Sequence, residues 1–283
     1  MSKETGSGSD VVTSNDYLAE WMSAIQGPKG AIDQYEEGIA MADRRGVVAQ
    51  GQWTRAGSLA SLFELGRWDD VERRCRELLD APMGLLDATV ESASHTMLAR
   101  VAVHRGRRPG VGEVRRILDL ARPIDELQAL SPALVMAALA SCARADAVAA
   151  GGYVEEFAGV TRDAAREWRM SQLAEMVRLA LWAGRDDVVR DLMAGGDDRA
   201  TLRGALNLLS ARAAIAEAHG DGADARALFD EATRRWREYG NPLEEAYALL
   251  GRARCADDES STADRARAAE LLRSLGAVPI PAQ

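Results

Sequence analysis

Leu62-Phe63-Glu64-Leu65-Gly66-Arg67-Trp68-Asp69-Asp70-Val71-Glu72 reads as the end of one helix, a tight turn, and the start of a second helix running back along the first. Gly66 can take the left-handed conformation that closes a helix without a Cβ clash. Asp69 and Asp70 then fall in the next helix's first turn, where carboxylates meet unpaired N–H groups and the positive end of the helix dipole. One hairpin of this size cannot bury its own apolar face, so the fold turns on whether the unit recurs.

It does recur. Gly27, Gly66, Gly106, Gly151, Gly184 and Gly220 each stand between a run ending apolar and a run opening polar. Their spacings are 39, 40, 45, 33 and 36, a mean of (220 − 27)/5, or about 39. Periods of roughly 20–50 residues with two helices each describe a solenoid. The helical pattern sets in near Asn15, where Tyr17, Leu18, Trp21 and Ile25 fall at helical spacing, and Gly27-Pro28-Lys29-Gly30 breaks it. Further along, Ser131-Pro132 reads as an N-cap with proline in the first helical position. Gly151-Gly152 reads as the turn after that helix, and Asp197-Asp198 as the opening of a long helix ending at His219. Residues 1–13, with Gly6-Ser7-Gly8-Ser9, read as a flexible leader, 14–277 as one superhelical domain, and 278–283 as an extended tail.

Composition agrees with packed helices. Alanine and leucine dominate an apolar fraction of 47%, and no run of Val, Ile or Thr reads as strand. The net charge is 35 − 44 = −9, which argues against an electrostatic grip on nucleic acid or on an anionic membrane surface. Cys75, Cys142 and Cys255 are odd in number and far apart, so neither a disulfide framework nor a zinc site is expected, and a reducing cytoplasm is the natural setting. No stretch approaches the ~18 uninterrupted apolar residues of a membrane helix.

The segment Leu65-Gly66-Arg67-Trp68-Asp69-Asp70-Val71 resembles the mid-repeat signature of tetratricopeptide repeats, with a glycine followed two positions on by an aromatic. The other repeats keep the glycine and lack the aromatic, and the period exceeds the usual 34. Ala227-Leu228-Phe229-Asp230-Glu231-Ala232, Trp236 to Pro242 and Ala246 to Arg254 are similar to the C-terminal helical regions of bacterial LuxR-type regulators of the large ATP-binding class. They are similar also to those of adenylate/guanylate cyclases with appended repeats. The resemblance implies an all-α, right-handed superhelix of about six to seven antiparallel helix pairs, used for scaffolding or sensing. Carried over by register, it places Tyr17, Trp21, Trp53, Phe63, Glu64, Thr96, Arg100, His104, Ser141, Ser171, Arg178, Trp182, Asn207, Ser210 and Glu217 on the concave groove. That lining of aromatic, polar and arginine residues suits an extended peptide or a polar small molecule.

No catalytic motif stands out: there is no Gly-x-Ser-x-Gly and no His-Glu-x-x-His. His95 and His104, nine residues apart on one helix, face opposite ways, so no metal and no cofactor is expected. Arg105, Arg107, Arg108, Arg115 and Arg116 lack the strand and Lys-Ser/Thr of a phosphate loop and read as a solvated turn. Paired aspartates, including Asp186/Asp187 and Asp257/Asp258, read as helix openings. Three functions follow from this reading. The first is a non-catalytic module holding a protein or peptide partner in the groove; the second is a small-molecule sensor of a bacterial regulatory system; the third is an enzyme with a site enclosed by the superhelix.

Overall fold

The computed structural model describes residues 8–82, 86–162, 166–194, 201–256 and 259–280. The chain is all-helical: among these residues there are fourteen α-helices, one 3-10 turn at Arg122–Ile124, and no strand. In chain order the helices are α1 (Gly8–Gln26), α2 (Pro28–Arg45), α3 (Val48–Glu64), α4 (Trp68–Leu79), α5 (Ala88–His104), α6 (Val111–Ala121) and α7 (Leu127–Ala143). They continue as α8 (Ala147–Val160), α9 (Arg166–Trp182), α10 (Asp186–Met193), α11 (Leu202–Ala218), α12 (Gly222–Tyr239), α13 (Pro242–Arg254) and α14 (Glu259–Leu275). None is long and apolar enough to cross a membrane.

Local chemistry explains most boundaries, and four expectations change. The turn after α7 is Arg144-Ala145-Asp146, with Ala145 at φ 59°, whereas Gly151 and Gly152 lie inside α8. Asp146 caps α8 by accepting from the Ala149 amide at 3.0 Å, which fixes that helix start ahead of the glycine pair. With Ala145 in place of Gly151, the positive-φ residues that follow the odd-numbered helices α1 to α11 are 27, 66, 106, 145, 184 and 220, spaced 39, 40, 39, 39 and 36. Second, α7 begins at Leu127, so Pro132 is interior to it. Third, Thr201 caps α11 through the Gly204 amide, and the helix opens at Leu202; Asp197 and Asp198 lie outside the described residues, as do Asp257 and Asp258. Fourth, α1 starts at Gly8, inside the span read as a leader, and Val12 is fully buried. Residues 1–7 and 281–283 are outside the described part. The tail is pinned: the Val278 amide donates to the His104 carbonyl at 2.8 Å.

The odd-numbered helices touch in unbroken series, α1 to α3, α5, α7, α9, α11 and α13. Helix α7 (LQALSPALVMAALASCA) is buried almost all round and anchors the largest core cluster, which runs from α5 to α11. A second cluster joins distant parts of the chain, setting Leu59, Leu62, Phe63 and Trp68 against Leu243, Leu249, Leu271, Leu272 and Leu275. Helix α1 in turn contacts α11. A Cβ on Gly66 would strike Leu275, so this turn needs glycine for close approach as well as for its φ of 72°. Both ends of the described chain therefore fold back onto the same interior.

Candidate functional site

The site grows from the α3–α4 corner. The turn closes with the Arg67 amide donating to the Leu62 carbonyl (2.9 Å) and the Gly66 amide to that of Phe63 (3.0 Å). Trp68, 1% exposed, donates through Nε1 to the Phe63 carbonyl (3.1 Å) and stacks on the Phe63 ring at 5.4 Å and 14°. The His104 ring leans on both, 5.6 and 5.7 Å away. One helical turn earlier, the Arg100 guanidinium lies 4.5 Å over the Phe63 ring. The corner thus aims Phe63 and Glu64 inward and gives Arg100 and His104 of α5 a platform.

Three arginine–glutamate pairs cross the interior, each between odd-numbered helices. Arg100 of α5 bonds Glu175 of α9. Arg178 of α9 grips Glu244 of α13 with both amino groups (2.6 and 2.9 Å) and lies 4.6 Å over Tyr247. Arg203 of α11 holds Glu64 of α3 at 2.8 Å and donates to the Tyr239 hydroxyl, which donates to Glu64 at 2.9 Å. Burial pushes the Glu175 carboxyl up, but Arg100, His104 (Nε2 at 3.5 Å) and Arg178 outweigh it and hold the group at about 2. Burial likewise opposes charge on Arg178 and Arg203, yet Glu244 and Glu64 more than compensate and raise both. These groups stay ionised because their partners are built in.

Two cavities lie among the described helices. One of about 380 Å³ lies between α7, α9, α11, α12 and α13, walled by Trp182, Phe229, Tyr247 and Leu179, with Glu175 and Arg178 at its polar side. Ile280 of the tail also lines it, with its amide 3.4 Å from the Tyr247 hydroxyl. Cys142 lines the same cavity, and burial lifts its thiol to about 11, which leaves it a poor nucleophile. The other cavity, about 280 Å³, lies between α1, α2, α3, α5, α7, α9 and α11. Its walls carry Tyr35, Trp53 and Trp168, and three carboxylates line it: Asp16, half-buried, and Glu20 and Glu167, both exposed. Burial and the Glu20 charge raise Asp16 to about 6, and burial and the Glu167 charge raise Glu20 against the opposing pull of Arg203.

The expected groove residues divide among these features. Phe63, Glu64, Arg100, His104 and Arg178 join the charged network, Trp182 lines the larger cavity, and Trp53 lines the smaller. Asn207 is buried and donates to the Arg203 carbonyl on its own helix (3.0 Å). Tyr17 and Trp21 are corrected: they are 69% and 60% exposed and line neither cavity. On α1 it is Asp16, Glu20, Ser23 and Ala24 that face in, one residue out of the expected register, and one residue rotates a side chain by about 100°. Among the basic residues, Arg105 pairs with Asp69 and Glu72, and Arg107 with Glu113, so these two are committed to local ion pairs.

The sequence reading missed Asp16, Glu20, Glu167, Glu175, Arg203, Glu244 and Tyr247. A carboxylate on a polar helix face carries no local mark of burial. The Arg–Glu partners lie 66, 75 and 139 residues apart, beyond any local pattern. Chemically the arrangement offers half-open, aromatic-walled binding space. No family model matches the chain, and no curated protein is found similar to it.

Proposed function

We propose that this chain is a small-molecule-binding regulatory module, built as a tetratricopeptide-like right-handed superhelix of seven helix pairs and working in the cytoplasm. The superhelix reading is supported by the 39-, 40-, 39-, 39- and 36-residue spacing of the turns and by the serial contacts of the odd-numbered helices. The observation that carries the function is the state of the inner face. Where an open groove would receive a peptide, Arg100–Glu175, Arg178–Glu244 and Arg203–Glu64 span it, and half-open cavities of about 380 and 280 Å³ lie beside them. An extended peptide partner would have to displace buried ion pairs, which costs several kcal/mol each, whereas a small molecule fits without disturbing them. Binding rather than catalysis is the reading because the ionisable groups nearest the larger cavity are neutralised in pairs and Cys142 is protonated.

Native mass spectrometry of protein purified from its source cells, before and after mild denaturation, tests this. The expected result is a retained small molecule, or a rise in melting temperature with a member of a metabolite panel. A stoichiometric co-purifying polypeptide with no ligand-induced stabilisation would replace the sensor reading with the scaffold one.

A further inference from the structure

We infer that the 380 Å³ cavity is built for an uncharged aromatic molecule that carries a hydrogen-bond acceptor, such as an aryl ester, amide or ketone; this rests on the small-molecule reading above and names the ligand class. The charges lining this cavity sum to zero, Glu175 and Glu217 against Arg178 and Arg254. Each is also met singly: Glu175 by Arg100, Arg178 by both oxygens of Glu244, and Glu217 by Arg254 at 2.8 Å. An anion or a cation entering here gives up hydration and finds no counter-ion that is not already engaged. An uncharged molecule bears no such cost.

The rest of the lining specifies the ring and the acceptor. Trp182, Phe229 and Tyr247 bring aromatic surface from three helices, α9, α12 and α13. Phe229 lies against the α13 backbone, where a Cβ on Gly251 would strike its ring, so this wall is in place before a ligand arrives. The Arg178 guanidinium, 4.6 Å over the Tyr247 ring, already takes the π site that a ligand cation would use. Two hydroxyls supply donors. Ser210, 5% exposed, accepts from the Trp236 indole N–H at 2.8 Å, and its own proton has no acceptor among the described residues. The Tyr247 hydroxyl accepts from the Ile280 amide at 3.4 Å and likewise donates to none of them. Each keeps an O–H to give, and a carbonyl oxygen held between these walls can take it.

The test uses the full chain, each variant confirmed folded by circular dichroism, in equilibrium dialysis at pH 7.5. The probes share one ring system: methyl 2-naphthoate, naphthalene, the 2-naphthoate anion and the 2-naphthylmethylammonium cation. The ester is expected to bind, with both ions at least ~10-fold weaker and naphthalene weaker by about 3- to 10-fold. Tyr247→Phe should weaken the ester by a similar factor and leave naphthalene unchanged, whereas Ala214→Leu, which fills the cavity, should weaken both. Failure of wild type to bind the ester overturns the inference. So does an ion or naphthalene bound as tightly as the ester, or an ester affinity that both variants leave unchanged. Native mass spectrometry on the same sample separates the two levels. A charged molecule retained by the protein ends the uncharged assignment while keeping the small-molecule reading. A protein that neither retains nor binds any small molecule ends both.

Discussion

Around the larger cavity each charge has an opposite within the protein: Glu175 meets Arg100, Arg178 meets Glu244, and Glu217 meets Arg254. Around the smaller one, Asp16, Glu20 and Glu167 meet each other and an arginine that Glu64 already holds. Three helices, α7, α9 and α11, contribute to both. In the first place a buried charge is structure, because removing its partner strands it. In the second the carboxylates are half-buried (Asp16) or exposed (Glu20, Glu167) and repel one another, so removing one relieves the ligand-free protein. The two cavities should therefore answer charge deletion with opposite signs.

The largest effect is expected at the paired cavity. Arg178→Ala leaves Glu244 buried without its cation, and should lower unfolding free energy by about 3–5 kcal/mol in chemical denaturation. A loss below ~1 kcal/mol would mean that solvent already screens the pair. Next comes the acidic cavity. Asp16→Asn should raise the stability of ligand-free protein, on the order of 1 kcal/mol, because it removes one of three facing carboxylates. Destabilisation instead would make the two cavities alike and undo the contrast.

The pH dependence sharpens the same contrast. The Asp16 carboxyl is raised in the folded state to about 6, so the stability it contributes is present below its ordinary value of 3.8 and is lost as pH rises through about 6. Asp16 is faced by Glu20 on its own helix, Tyr35 of α2, Glu167 of α9 and Arg203 of α11; α3, α5 and α7 bring no titratable side chain to the cavity. Glu175 is depressed to about 2, so its contribution is present above its ordinary value of 4.5 and is lost as pH falls through about 2. Between pH 7 and pH 5 the melting temperature of wild type should rise relative to that of Asp16→Asn, with the Arg100–Glu175 pair unaffected. The smallest effect is expected outside both cavities: Tyr17→Ser and Trp21→Ser, on the exposed face of α1, should change stability by less than ~0.5 kcal/mol.

The helices were legible wherever backbone chemistry marks them. Gly66 with Trp68 identified a turn whose hydrogen bonds and ring stacking hold that corner, and the alanine-rich, strand-free composition pointed to the all-helical chain that is seen. Ala145 was not legible. Its φ of 59° is imposed by the amides of Ala145 and Asp146 bonding back to Cys142 and Ser141, and alanine carries no sign of that strain. On α1, Tyr17 and Trp21 drew attention as aromatics, while the inward stripe is Asp16 and Glu20; composition favoured the wrong face and only the packing of α1 on α2, α3 and α11 selects the other. Glu244 and Glu64 reach their arginines across 66 and 139 residues, distances over which a single sequence records no pairing.

Leu275 lies against Gly66, joining positions 275 − 66 = 209 residues apart, and this changes how the molecule comes apart. A linear array of helix pairs frays from its termini, each unit leaving with only a neighbour's contacts broken. Here α14 shares a core cluster with the second pair as well as packing on α13, so its departure opens the cluster that holds Leu59, Leu62 and Trp68. Unfolding is then a concerted event rather than a peeling, and folding must wait for a long-range closure that a simple array never has to make.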